Sequence, residues 1–248
     1  MEADRVWIPY CGAAPTPAEW LWRWNLDPWP VGALLVATAA WYVLGRSSRG
    51  VPLVAALGLC VFLFISPFCA LTSALFSARV AHHVILAAAV APLLVAAFPR
   101  GHGRARALPW WTALHALVFW FWHAPQAYAW ALSSDAIYWT MQASLLGSAV
   151  TFWSAIRRAH VTAAVVALLA TTVQMGLLGA LITFARSPLY VPHLATTDPW
   201  SLSALDDQQL AGLIMWAPAA GFYIVAAILL TARWLADEQR RDDMASAL

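Results

Sequence analysis

Between Ser73 and Phe98 the chain reads "SALFSARVAHHVILAAAVAPLLVAAF", an apolar stretch long enough to cross a bilayer that carries Arg79, His82 and His83 at its head. A run of about 20 apolar residues spans the hydrocarbon core. With no water there to satisfy the backbone, it must be a helix. Six further runs lie between charged or Pro/Gly-rich breaks, giving candidate spans at 29–46, 51–67, 75–98, 109–132, 137–156, 161–186 and 208–235. The second is the weakest, being short and holding Gly58. With 62% hydrophobic and only 10% charged residues, the composition excludes an ordinary soluble domain. The expected fold is all-α: a polytopic, multi-pass membrane protein built as one seven-transmembrane-helix bundle.

Arginine placement predicts its orientation, because short cytoplasmic loops are enriched in basic residues. All 14 basic residues are Arg, and ten follow the first, third, fifth and seventh spans: Arg46, Arg49, Arg100, Arg104, Arg106, Arg157, Arg158, Arg233, Arg240 and Arg241. The N-terminus is therefore expected outside and the C-terminus in the cytoplasm. Residues 1–28 read as a periplasmic segment, 29–235 as the bundle and 236–248 as a cytoplasmic tail. The acidic, proline-broken start lacks the basic and apolar regions of a cleavable signal peptide. Thr16-Pro17-Ala18-Glu19 has the pattern of a capping box with Pro at the first helical position. It predicts a short interfacial helix into "WLWRWNLDPWP", whose tryptophans suit the headgroup region. Cys11 and Cys69 both fall on the outer side, where a disulfide can form, and no CxxC motif supports a thiolate metal site. The net charge of +2 gives no reason to expect a nucleic-acid partner.

Orientation also assigns depths. At about 1.5 Å per residue, His83 lies about 10–12 Å and His123 about 13 Å below the outer face. On the same rise Met141 and Met215 come out at about 6–12 Å, with Met175 deeper. Imidazole nitrogen and thioether sulfur, without thiolate or a carboxylate cage, form a donor set that selects a soft monovalent copper ion, Cu(I). The candidate metal ligands are thus His83, His123, His82, Met141, Met215 and Met175. Pro125 opens the helix beside His123. Asp206 and Asp207 head the last span, where they could attract a cation at the mouth or orient an imidazole. His193 lies in the loop above, and Arg79 could snorkel or pair with Asp206 or Asp207. The competing reading is structural: a methionine is ordinary packing material, and an intramembrane histidine can bond to Ser, Thr or Gln across helices. His82 points about 100° away from His83. His102, His115 and His160 read as structural or solvated.

Several runs resemble the CtaG family of cytochrome c oxidase assembly proteins, the multi-span type named from caa-type oxidases. They are "WNLDPWPVGALLVATAAWY", "SPFCALTSALFSARVAHHVILAAAVAPLL", "FWHAPQAY", "MGLLGALITFARSPLY" and, most specifically, "DDQQLAGLIMWAPAAGFYIVAAILL". The resemblance covers nearly every span from Trp24 to Trp234. It implies a non-enzymatic role in maturing haem-copper oxidases in the bacterial inner membrane. Copper would be handled near the periplasmic face, with a periplasmic copper donor and oxidase subunit I as partners. His83 matches the family's histidine in span three and His123 its Trp-His-x-Pro histidine. Asp207, Gln208, Met215 and Trp216 match the motif opening span seven. The chain departs from the family in having Arg79-Val80 for a common His-Met pair, Gln142 for a histidine, and Cys69 for an acidic residue. If those missing groups are ligands elsewhere, either His82, Met141 or Cys69 substitutes here or the site is weaker. The alternatives are a haem-binding membrane redox protein, with two histidines as axial ligands, and a scaffold whose polar groups only join helices.

Overall fold

The computed structural model describes residue 7 and residues 9–44, 50–98 and 107–246. Arg46, Arg49, Arg100, Arg104, Arg106 and His102 lie outside the described residues. Each of the seven apolar runs coincides with helix. The elements are α1 (Pro28–Leu44), α2 (Gly50–Phe64), α3 (Pro67–Ala74), α4 (Phe76–Ile85), α5 (Ala91–Ala97), α6 (Leu108–His123), α7 (Pro125–Ala131), α8 (Asp135–Ile156), α9 (Val161–Thr183), α10 (Ala204–Ile214) and α11 (Ala220–Ser246). No strand occurs among the described residues. By length and apolarity three helical runs can cross a membrane: Phe76–Ala97, Val161–Thr183 and Ala204–Ser246. A fourth follows if α2 and α3, bent by 48°, form one span, while α1 is apolar but shorter. The chain is an all-helical membrane protein.

Its exterior fits a lipid solvent. Val36, Val54, Val173, Leu177, Val225 and Ile228 stand exposed on helix surfaces, and the polar groups His115, Ser148, Gln142, Asp207 and Gln208 are buried. That inversion follows from hydrocarbon being as apolar as leucine, so helices associate through close packing and polar pairs. The crossing of α9 and α10 shows the packing half. A Cβ on Gly179 would sit 2.7 Å from the Gly212 carbonyl, and one on Gly212 2.6 Å from the Gly179 carbonyl. Only glycine permits this approach.

Several local expectations change. The second apolar run does not continue to residue 67, because Ser66 starts a new helix: its Oγ accepts from Phe68 N at 3.1 Å, with Pro67 at the first helical position. The N-terminal segment forms one 3-10 turn, Trp20–Trp22, instead of a longer interfacial helix. Half of the expected capping box is present, Thr16 N donating to Glu19 Oε1 at 3.2 Å, but Thr16 makes no side-chain cap. Cys11 and Cys69 are joined in a disulfide, with Cα atoms 5.5 Å apart, tying the N-terminal segment to α3. The last helix passes residue 235 without a break and reaches Ser246. Its end carries exposed Arg240–Asp237 and Arg241–Glu238 pairs.

Candidate functional site

The site is built around the start of α4. Leu75 is extended and contributes no side-chain cap, so the first amides of α4 need an acceptor from elsewhere. Asp207 supplies it from α10. Its buried carboxylate accepts from Phe76 N at 2.6 Å and Ser77 N at 3.2 Å, and also from Ser77 Oγ. A carboxylate is favoured there by the positive end of the helix dipole. Asp207 therefore fixes the helix that carries the histidines, and it neither lines a cation path nor pairs with Arg79. Asp206 is likewise committed, closing a capping box with Ser203: Asp206 N donates to Ser203 Oγ at 3.1 Å and Ser203 N to Asp206 Oδ2 at 3.3 Å. Gln208 braces the 184–190 loop, accepting from Leu189 N at 2.7 Å and donating to Ile182 O at 3.3 Å.

His83 meets His123 at the end of α6. That helix stops because Ala124, preceding Pro125, adopts an extended conformation (φ −69°, ψ 131°). The break frees the His123 carbonyl, which accepts from Tyr190 Oη at 2.8 Å. His123 Nδ1 donates to Phe119 O at 2.7 Å, which leaves Nε2 as the ring's lone-pair nitrogen. Nε2 faces His83 Nδ1 at 3.4 Å, and both rings are buried. Gln142 approaches the far side of His83, Nε2 to Nε2 at 3.5 Å, while its Oε1 has no partner. The amide has two orientations of nearly equal shape. As placed, Gln142 donates to His83, and His83 Nδ1–H donates to His123. Turned over, Gln142 Oε1 accepts from His83 Nε2–H, and two imidazole lone pairs face each other. That second arrangement is repulsive unless a cation lies between them.

The other predicted residues divide. His82 points away from the pair, packing edge-on to Phe64 at 5.0 Å with the Leu63 backbone as its hydrogen-bond neighbour. Met141, Met175 and Met215 are all buried in the core. Met141 adjoins Gln142 in sequence, and Met215 opens a π-helical turn, Met215–Ala219, that packs against α4. A second π turn, Leu86–Val90, follows His83 by one helical turn, leaving Ala87 O to accept from Trp153 Nε1 at 2.9 Å. Such bulges recur at functional sites. His193 is a latch, bonded to Tyr128 Oη at 2.7 Å and Ala74 O at 3.2 Å. Burial pushes its pKa down to about 3. Arg79 is fully buried, so it does not snorkel, and its guanidinium lies 5.2 Å from the Tyr138 ring centroid. No three His, Cys, Asp or Glu side chains cluster as a metal site among the described residues.

Sequence reasoning missed the role of Asp207, because the α4 start it caps lies 130 positions away. The one local signal was a helix start at Phe76 without a capping residue of its own.

Residues 39–237 match the family described as cytochrome c oxidase caa3 assembly factor, Caa3_CtaG. The chain belongs to this family. The match takes in every helix from the middle of α1 to the middle of α11, including the His83/His123 pair and the Asp207 cap. No curated protein and no solved structure matches the chain. Membership makes it a cytochrome c oxidase assembly factor of the membrane.

Proposed function

We propose that the protein holds a copper ion, as Cu(I), at the His83/His123 pair and helps insert it into the active-site centre of a haem-copper oxidase. Copper is cargo in this reading, and the protein is not an enzyme. The reading is supported chiefly by the facing nitrogens of His83 and His123, 3.4 Å apart. Two imidazole nitrogens bound to one tetrahedral first-row ion, each at about 2.05 Å, are separated by about 3.4 Å. His123 Nδ1 already donates to a backbone carbonyl, the outer bond expected of a metal-ligating histidine. Gln142 can give His83 the equivalent bond by turning its amide. Met141 and Met215 are the thioethers nearest in sequence and packing to complete a soft donor set. Met175 and His82 are the further candidates.

In this reading all seven apolar segments cross the bacterial inner membrane, with the N-terminus outside and the C-terminus cytoplasmic. Arg157, Arg158, Arg233, Arg240 and Arg241 then lie on the cytoplasmic side, as the charge rule requires. The pair lies near the periplasmic face, where a copper donor and oxidase subunit I would be met. A haem reading is disfavoured by the same geometry. Nitrogens 3.4 Å apart, with Phe119 stacked on His123 at 4.5 Å, leave no slot for a macrocycle. A scaffold reading takes the His83–His123 contact as an interhelical hydrogen bond and nothing more.

The test is oxidase maturation in cells carrying His83→Ala and His123→Ala together, with membrane levels of the protein monitored. Copper handling predicts an oxidase assembled without active-site copper. A fully copper-loaded oxidase would favour the scaffold.

A further inference from the structure

One buried group has no part in the copper reading: the guanidinium of Arg79. It has no exposed surface, and none of Nε, Nη1 or Nη2 makes a well-formed hydrogen bond among the described residues. No carboxylate pairs with it among the described residues, since Asp207 is committed to Phe76 and Ser77 and Asp206 to Ser203. The groups near enough to feel its charge are His82, His83, His193, Tyr128 and Tyr138, none of them a carboxylate. The Tyr128 and Tyr138 hydroxyls interact with it at hydrogen-bonding range that falls short of well-formed geometry. The Tyr138 ring at 5.2 Å offers a cation–π contact. That contact offsets only part of the desolvation cost of a buried ion without a counter-charge. Arg79 also sits in the first turn of α4, where the helix dipole adds positive potential. One helical turn on, the His82 ring has the Leu63 backbone as its hydrogen-bond neighbour. An enclosed positive charge with no carboxylate beside it among the described residues calls for a negative ligand.

We propose that Arg79 binds a small monovalent inorganic anion of the chloride class beside the histidine pair. Full enclosure of the guanidinium selects a compact ion over a carboxylate-bearing molecule. The proposal stands on Arg79 alone and does not depend on copper.

The experiment uses the purified full-length protein in detergent. Thermal unfolding is followed as sodium chloride replaces sodium gluconate at fixed ionic strength, for wild type, Arg79→Gln and Arg79→Lys. The wild-type midpoint is expected to rise by several degrees and saturate, Arg79→Gln to show no response, and Arg79→Lys a weaker one. Equal wild-type midpoints in the two salts would overturn the proposal, as would an undiminished response in Arg79→Gln. Should Arg79→Gln not fold, anomalous diffraction from wild-type crystals grown in bromide decides: a peak at Arg79 supports the site, and its absence at saturating bromide refutes it.

Discussion

Two buried histidine environments lie on α6, eight residues and about 12 Å apart along the helix, and they differ in how completely they are satisfied. His115 has a hydroxyl for each ring nitrogen, Ser148 Oγ and Tyr223 Oη, both at 3.3 Å. It joins α6 to α8 and α11 and leaves nothing to bind. Around His83 and His123 the two rings depend on each other, Gln142 Oε1 is unpartnered, and Arg79 has no carboxylate partner among the described residues. An unsatisfied buried polar group is expensive, and the proposed copper site accounts for why one polar cluster is completed while its neighbour is left open. The family assignment gives that difference a direction, toward oxidase assembly.

The largest expected effect comes from removing the residue that aims the open cluster. Asp207→Ala strips the α4 start of its only side-chain acceptor and leaves two buried amides and a hydroxyl without a partner. The expected loss is about 3–5 kcal/mol, read as a large fall in thermal midpoint and in membrane abundance. Asp207→Asn, which keeps one acceptor oxygen, should recover part of it. An Asp207→Ala protein as stable as wild type would mean that α4 is held by other contacts.

The latch over the same end should respond to acid. His193 is held neutral, with its pKa near 3, whereas an unfolded histidine titrates near 6.5. Between those values the unfolded chain binds a proton that the folded one does not, so stability falls as the pH drops. The slope is about 1.4 kcal/mol per pH unit below 6.5, or about 2 kcal/mol by pH 5. In His193→Gln that component of the slope should vanish in unfolding measured between pH 7 and 5. An unchanged slope would place the acid sensitivity elsewhere.

The smallest effect is expected at the satisfied cluster. His115→Phe leaves Ser148 and Tyr223 without their ring partner, for about 1–2 kcal/mol, and should leave copper affinity unchanged. A loss of copper binding in that variant would erase the distinction between the two environments.

Much of this arrangement was legible in the sequence. The length of the apolar runs located the main helices, because an extended backbone has no place in hydrocarbon, but it did not mark α3, Pro67–Ala74, as a helix of its own. Helix rise together with alternating direction brought His83 and His123 to one level, and the residue before Pro125 marked the end of α6. Depth along a helix says nothing about azimuth, so Met141, Met175 and Met215 could be placed at a level but not aimed. Contacts across 130 positions, such as Asp207 on Ser77, have no local pattern. Arg79 was expected to snorkel or to find a carboxylate, and both expectations failed because Asp206 and Asp207 were already taken by helix caps that sequence alone does not rank.

The most direct test of the central claim is a Cu(I) titration of purified protein against a competing chelator, comparing wild type, His83→Ala/His123→Ala and His115→Phe at matched folded fractions. The account predicts one tight Cu(I) per chain in wild type and His115→Phe, and its loss in the double variant. Undiminished stoichiometry and affinity in His83→Ala/His123→Ala would contradict it.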